Sequence, residues 1–174
     1  MTKQNVRGRI IKSLGGFYYV ADSEQKGNII ECRARGAFRQ QNVKPCVGDW
    51  AQVELTPQGK GYVVEIEERK NSLVRPPLAN LDQLVLVVSI ADPAPNAFVL
   101  DKLIAIAEYQ EIEPIIVITK CDLADPEEFA QIYRKAGFTV LETKSLQHEG
   151  IESVMEILKD KTSAFCGNSG AGKS

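Results

Sequence analysis

The sequence predicts two folds in succession: an N-terminal all-β, OB-type barrel of five strands, then an α/β domain with a parallel sheet. Three observations predict this order. Short strand-like runs separated by Gly, Pro and Asp fill roughly the first seventy residues. Apolar strand-like runs then alternate with helix-like runs, which is typical of a parallel sheet. A glycine-rich motif follows the last of these strands, at the end where such sheets bind ligands.

Five short runs rich in β-branched and aromatic residues predict the barrel strands: 6–14, 17–21, 28–35, 50–55 and 61–68. The arginines Arg33, Arg35 and Arg39 cluster at the third run and are candidate RNA contacts, because arginine pairs with phosphates and stacks on bases. The alternative is a solvated face with Phe38 turned into the core. The tyrosines of the barrel are interpreted as packing residues: Tyr18, Tyr19 and Tyr62.

The second half predicts four buried strands and three helices. The strands are 83–90, 114–118, 138–142 and 163–166, and the helices are 96–111, 125–137 and 150–161. Asn96 is a predicted N-cap of the first helix, Asp125 can cap the second, and Gly137 can end it. These patterns place a barrel domain at 1–70, a proline-containing linker at 71–81 and the α/β domain at 82–174.

Charge is distributed unevenly between the two halves. Residues 1–77 carry 13 Lys/Arg and 8 Asp/Glu, whereas residues 78–174 carry 8 and 15, within a net charge of −2. A basic half hints at a nucleic-acid-facing module, although drift for solubility is an equal alternative. The four cysteines form no C-x-x-C pair and are interpreted as thiols of a reducing compartment. With no apolar run of membrane-span length, we expect a cytoplasmic protein and no membrane partner.

The chain ends on the sequence GNSGAGKS, which fits the phosphate-binding pattern G-x-x-x-x-G-K-[ST]. Glycines let several backbone N–H groups point at one anion, the lysine reaches the outer phosphates, and the serine hydroxyl can ligate Mg²⁺. The predicted phosphate-binding residues are Gly167, Asn168, Ser169, Gly170, Ala171, Gly172, Lys173 and Ser174, with Ser174 as the Mg²⁺ ligand. A flexible glycine-rich tail is the alternative.

A second motif, TKCD, follows the second buried strand and resembles the N-K-x-D pattern of GTP-binding proteins. Asp122 can accept hydrogen bonds from the guanine edge, the stem of Lys120 can pack along the base, and Thr119 stands where the pattern has Asn. A hydroxyl lacks the two-headed amide, so we expect looser base binding. The alternative for Asp122 is a helix-entry residue. A third loop, Thr143, Lys144 and Ser145, fits a base-contacting loop only loosely.

In ordinary GTPases the phosphate loop precedes the base-reading motif, and here the order is reversed. Together with CRARGAFR, PCVGDWAQV and RKNSLVRPPLANLDQ, these motifs resemble the circularly permuted ribosome-assembly GTPases called RsgA, or YjeQ/YloQ. The resemblance spans essentially the whole chain. It implies an OB barrel followed by a circularly permuted P-loop GTPase domain.

The resemblance further implies that GTP or GDP and Mg²⁺ are bound and that GTP is hydrolysed. It implies action late in small ribosomal subunit maturation, an OB domain that touches ribosomal RNA, and a monomer when full length. Family members also continue into switch segments and a C-terminal domain whose Cys and His ligands bind zinc. We therefore expect this chain to be an incomplete piece with no zinc ligands and an unassigned catalytic residue. We expect that it neither hydrolyses GTP nor holds phosphates well by itself.

Two other functions stay open on the sequence alone. One is a non-enzymatic RNA-binding OB module in which the nucleotide fold serves as a scaffold. The other is an ATP-using P-loop protein in which TKCD is incidental. Replacement of Asp122 by Asn discriminates between the guanine and adenine readings, since only a base-reading carboxylate would redirect specificity toward xanthosine nucleotides.

Overall fold

The computed structural model describes residues 5–36, 38 and 44–173, without the side chain of Ser145. Its backbone divides into two compact units, Met1–Asn80 and Leu81–Ser174. We refer to them as the barrel unit and the sheet unit. No helix among the described residues is long and apolar enough to cross a membrane.

The barrel unit closes five strands on themselves in the order β1-β2-β3-β5-β4. The strands are β1 (Asn5–Leu14), β2 (Phe17–Asp22), β3 (Ile29–Ala34), β4 (Trp50–Leu55) and β5 (Gly61–Ile66). All neighbours pair antiparallel except β3 and β5, which pair parallel. The predicted five-stranded barrel is therefore confirmed.

Alternation within each strand explains the barrel core. In β2 and β4 the second and fourth residues are buried and their neighbours are half-buried, since one face of a closed sheet points inward and the other outward. The inward residues form one cluster: Ile10, Tyr18, Val20, Ile30, Cys32, Phe38, Ala51, Val53 and Val63. Phe38 thus packs in the core, as the alternative interpretation of the arginine segment had it, and Tyr18 packs there as interpreted.

A buried ion pair ties the β4 entry to the segment after β5. Asp49 is fully buried, and its two carboxylate oxygens accept hydrogen bonds from Nε and Nη2 of Arg69 at 2.7 and 2.8 Å. The backbone N–H of Cys46 also donates to Asp49, at 2.8 Å. Residues 71–81, predicted as a linker, hold the short pair β6 (Ser72–Leu73) and β7 (Leu78–Ala79).

The sheet unit contains four parallel strands in the order β10-β9-β8-β11. They are β8 (Gln83–Ser89), β9 (Glu113–Thr119), β10 (Thr139–Glu142) and β11 (Ser163–Gly167). The central strands β8 and β9 are buried along nearly their whole length, whereas β10 and β11 are half-buried. This is the parallel α/β sheet that the sequence predicts.

Three helices connect the strands: α1 (Ala97–Tyr109), α2 (Glu127–Lys135) and α3 (Ile151–Leu158). The side chain of Asn96 caps α1 by accepting from the backbone N–H of Val99, as predicted. At α2 the cap position falls on Pro126, one residue later than predicted, and Asp125 instead accepts from the N–H of Glu127 at 3.0 Å. The α2 helix ends just before Gly137, whose φ of 93° favours glycine.

Candidate functional site

The two polar motifs meet at one edge of the sheet. TKCD begins at the last residue of β9, and the phosphate-loop sequence begins at the last residue of β11. Both strands pair with β8, which lies between them. Because the strands are parallel, their carboxyl ends share an edge, which is where open α/β sheets bind ligands.

A direct hydrogen bond joins these two motifs. The hydroxyl of Thr119 donates to the backbone carbonyl of Ala171 at 2.7 Å. Both residues are buried, with 3% and 1% of their surface exposed. A buried hydrogen bond of this kind is costly to lose, so Thr119 holds the glycine-rich loop against the end of β9.

Lys120 and Asp122 differ in their surroundings. Lys120 has a φ of 61°, a left-handed conformation uncommon outside glycine, and it reverses the chain directly after β9. Its ammonium donates to the backbone carbonyl of Asp92 in the loop that follows β8. Asp122 is half-buried, and within the described part of the chain its carboxylate accepts no hydrogen bond. Its two oxygens are therefore available as acceptors.

The glycine-rich loop curls over its own lysine. The ammonium of Lys173 donates to the carbonyl oxygens of Gly167 and Asn168 at 2.9 and 2.6 Å. Gly170 and Gly172 have φ values of 77° and 85°, which turn the backbone as only glycine does without strain. Asn168, Ser169, Gly170, Gly172 and Lys173 are exposed. Ser174, the predicted Mg²⁺ ligand, lies outside the described residues.

Gly167 explains how the loop starts. A Cβ atom at this position would stand 2.2 Å from the carbonyl oxygen of Val87 on the neighbouring strand β8. Glycine is therefore required for β11 to stay paired with β8 at the point where the loop departs. The exposed lysine, the turned glycine backbone and the free carboxylate of Asp122 suit the phosphates and base of a nucleotide.

The third loop, residues 143–145, is held by backbone hydrogen bonds and one ion pair. Thr143 is buried and donates its backbone N–H to Ile118 at 2.8 Å, while its carbonyl accepts from the N–H of Cys121 at 3.2 Å. Lys144 forms an ion pair with Glu149 at 2.7 Å, a contact that raises its pKa. Ser145 begins a short 3₁₀ turn, Ser145–Gln147, and nothing is described of its side chain. The loop thus contacts TKCD through the backbone hydrogen bond from Cys121 and contacts β9 through Ile118.

The predicted barrel arginines have different partners. The guanidinium of Arg33 lies 4.7 Å from the ring centroid of Phe17. Arg35 forms an ion pair with Glu54 at 2.6 Å, which neutralises much of its charge. Arg39 lies outside the described residues.

Sequence reasoning missed Asp92 and the outward orientation of Tyr62. Asp92 belongs to the ADPAPN loop after β8, and its position after a buried strand at the shared sheet edge was a usable signal. Tyr62, interpreted as packing, is 42% exposed. Among the described residues, no group of three His, Cys, Asp or Glu side chains is arranged to hold a metal ion.

Comparison with protein families covers nearly the whole chain. A family model described as RsgA GTPase matches residues 66–174, and one described as RsgA N-terminal domain matches residues 7–63. A relative from Caldanaerobacter subterraneus subsp. tengcongensis, named small ribosomal subunit biogenesis GTPase RsgA, is 47% identical over 174 residues, covering 98% of this chain and 58% of the relative. The relative of the same name from Bacillus subtilis is 41% identical, covering 96% and 59%.

Solved structures agree with this grouping. The crystal structure of YloQ, described as a circularly permuted GTPase, superposes with a TM-score of 0.81 at 38% identity, covering 97% of this chain and 62% of its own. That of YjeQ from Thermotoga maritima gives 0.84 at 34% identity, covering 98% and 63%. The chain spans 58% and 59% of the length of the two curated relatives. On the family match and on the permuted order of its motifs, the chain belongs to the RsgA GTPase family.

Proposed function

We propose that this chain supplies the guanine-nucleotide site and an RNA-binding barrel of a GTP-hydrolysing factor for small ribosomal subunit biogenesis. One observation carries the nucleotide part of the proposal. The hydrogen bond from Thr119 to Ala171 brings TKCD and the glycine-rich loop together at the ligand-binding edge of the sheet. The curated relatives carry the name small ribosomal subunit biogenesis GTPase, which supports the biological role.

In the proposed base site, Asp122 accepts hydrogen bonds from the guanine edge and the stem of Lys120 packs along the ring. The support is that Asp122 takes no hydrogen bond from a described residue, whereas Lys120 is oriented by the Asp92 carbonyl. Thr119 acts differently from the expectation of direct base contact. Its hydroxyl is already committed to the loop carbonyl, so we assign it the positioning of that loop. The backbone of 143–145 completes the rim.

In the proposed phosphate site, the backbone N–H groups of 167–174 and the ammonium of Lys173 bind the phosphates. Lys173 is exposed, and the partners of its ammonium among the described residues are two loop carbonyls, so it can exchange them for phosphate oxygens. Mg²⁺ would neutralise phosphate charge, with the Ser174 hydroxyl as its ligand from this chain.

The base assignment is tested by replacing Asp122 with Asn and measuring binding of GDP, XDP and ADP by ligand-observed NMR, which detects weak binding. Asn offers an N–H in place of one oxygen, so we expect GDP affinity to fall about 10- to 100-fold while XDP affinity rises. Asp125→Asn is the matched control, because Asp125 is a nearby exposed acid that contacts only the start of α2. It should leave all three affinities unchanged.

The outcomes separate the competing functions. Equal GDP and ADP binding that Asp122→Asn leaves unchanged would favour an ATP-using P-loop protein. Binding of RNA with no nucleotide binding would favour a non-enzymatic RNA module. Preference for GDP that is lost in Asp122→Asn supports the guanine site.

The 174 residues expressed by themselves are expected not to hydrolyse GTP. Phosphoryl transfer depends on groups that orient water and stabilise charge beyond the phosphate loop, and the chain spans 58% of the first curated relative. Single-turnover hydrolysis of radiolabelled GTP tests this, and turnover matching that of the longer relatives would contradict it. We also propose a cytoplasmic protein that is monomeric at full length, with any zinc site outside the described residues.

A further inference from the structure

Three strands of the barrel align one residue each on the outer surface. In the strand register, Phe17 on β2 lies opposite Arg33 on β3, and Arg33 lies opposite Tyr62 on β5. Residues opposite one another on adjacent strands share a face of the sheet, and neighbouring strands lie about 4.7–4.9 Å apart. The three side chains therefore form one row across the barrel, which we call the Phe17–Arg33–Tyr62 row.

The row presents flat groups to solvent. The guanidinium of Arg33 lies 4.7 Å from the ring centroid of Phe17, within the range of a cation–π contact. Tyr62 is exposed, and Phe17 is half-buried. A cleft of about 370 Å³ runs along the row, lined by all three side chains and by Lys60 and Gln58 among others.

Arg33 differs from Arg7 and Arg35 in its charge balance. Arg7 is paired with Glu67 and Arg35 with Glu54, so both are neutralised by a carboxylate. No described carboxylate pairs with Arg33. A guanidinium that already stacks on one ring and has no anionic partner is suited to a phosphate or a second flat ring.

The position of the row favours a nucleic-acid ligand. OB-type barrels bind oligonucleotides on the face of their second and third strands, and the row begins on β2 and β3 of such a barrel. Isolated exposed aromatic residues are ordinary on protein surfaces. Here an exposed ring, a half-buried ring, an unneutralised arginine and a cleft coincide at one place, which ordinary surface composition does not require.

We propose that the Phe17–Arg33–Tyr62 row is a stacking platform for unpaired bases of single-stranded RNA. The inference rests on the proposed RNA-binding role of the barrel and names the chemical form of the RNA. Bases stack on the two rings and on the Arg33 guanidinium, while the phosphates between them take the charge of Arg33. A duplex cannot use the platform, because its bases are already stacked on each other.

The test compares two RNA probes on one set of variants. Fluorescence anisotropy measures binding of a labelled single-stranded adenosine ten-mer and of a duplex of matched length. Tyr62→Leu keeps an apolar side chain but removes the ring, and we expect single-strand affinity to fall about fivefold or more, with duplex affinity unchanged. Tyr62→Phe keeps the ring and should retain wild-type affinity.

Two further variants make the result decisive. Tyr109→Leu removes a more exposed ring from α1 in the sheet unit and should change nothing. Arg33→Gln keeps a long polar side chain and should lower single-strand affinity while weakening its salt dependence. Circular dichroism and the fluorescence of Trp50 show whether each variant is folded.

The outcomes separate the platform from the proposed function beneath it. If the wild-type chain binds neither probe, the RNA-binding role of the barrel fails, and the platform fails with it. If it binds both probes and Tyr62→Leu binds them as the wild type does, RNA binding stands and the platform is overturned. A loss confined to the single strand and restored by Tyr62→Phe supports the platform.

Discussion

The two units each fasten a loop with one buried polar contact, but they use different chemistry. In the barrel unit, Asp49 is fully buried and accepts two hydrogen bonds from the charged guanidinium of Arg69. In the sheet unit, the neutral hydroxyl of Thr119 donates to the carbonyl of Ala171 at 2.7 Å, with the carbonyl of Val88 as a longer second acceptor at 3.4 Å. The barrel contact joins the residue before β4 to the segment after β5. The sheet contact holds a loop that we propose binds a ligand.

The two contacts therefore differ in the free energy that is lost when one partner is removed. Removing one partner of a buried ion pair leaves an uncompensated charge, whereas removing a neutral donor leaves one unsatisfied carbonyl. A loop that must rearrange around phosphates is better held by the weaker contact. The barrel segment has no such need and carries the stronger one.

Asp49→Ala should be the most damaging of the substitutions that test this comparison. The substitution leaves the Arg69 guanidinium without its carboxylate partner and the backbone N–H of Cys46 without its acceptor. We expect a loss of about 3 kcal/mol in the free energy of unfolding, because Arg69 retains some exposure to solvent. Urea unfolding followed by the fluorescence of Trp50, the sole tryptophan and a residue of β4, measures it.

Glu65→Ala is the control, since Glu65 is exposed on β5. It should leave the urea midpoint unchanged. An Asp49→Ala variant as stable as the wild type would mean that the ion pair contributes nothing to holding the β4 entry.

Thr119→Val should cost less, about 1–3 kcal/mol, since it removes the hydroxyl and leaves the Ala171 carbonyl buried without a donor. The shape of the side chain is kept, so the core is not disturbed. Hydrogen exchange of the β9 and β11 amides measures the effect in the sheet unit. Thr139→Val at the exposed start of β10 should show no change, and equal exchange rates in the two variants would refute the role of Thr119.

Alkaline pH should lower the free energy of unfolding of the barrel unit, because two of its thiols are buried. Burial raises the pKa of Cys32 to about 12 and that of Cys46 to about 11, from an ordinary value of 9.0. The folded state keeps these protons between pH 9 and 11 while the unfolded chain releases them, so stability falls as pH rises. We expect each thiol to cost about 1 kcal/mol at pH 10.

Urea unfolding of Cys32→Ala at pH 8 and pH 10 provides the check. The variant lacks one of the two thiols, so its loss between these values should be smaller than that of the wild type by about 1 kcal/mol. Identical losses in both proteins would show that Cys32 does not contribute.

The smallest change in stability is expected for an ion pair at the surface of the sheet unit. Lys144 and Glu149 form an ion pair, but their side chains remain 38% and 59% exposed to water. Glu149→Gln should therefore leave the Tm of the chain unchanged within error. A clear drop in Tm would mean that this pair stabilises the third loop more than an exposed pair normally does.

The sequence predicted the elements because each leaves a local signal. Alternation predicted the barrel strands, continuous apolar runs predicted β8 and β9, and Asn96 and Gly137 marked the helix ends. The two motifs and their shared sheet edge were also readable, since parallel strands fix where their loops emerge.

The pairings between distant side chains could not be predicted. Asp49 and Arg69 are twenty positions apart with no pattern linking them, and Arg35 meets Glu54 only because β3 and β4 both adjoin β5. The exposure of Tyr62 depends on which face of β5 points inward. Each of these follows from strand register, which the sequence does not give for a closed barrel.

The central position of β8 has a mechanical consequence. Strands β9 and β11, which carry the two motifs, are both hydrogen-bonded to β8 along their length, whereas β10 is bonded only to β9. A force pulling along β8 would have to shear two ladders at once, whereas the edge strands β10 and β11 are each held by one ladder. Under load the sheet unit would therefore lose an edge strand before β8 and β9 separate, and the phosphate-binding strand β11 is one of those two edges.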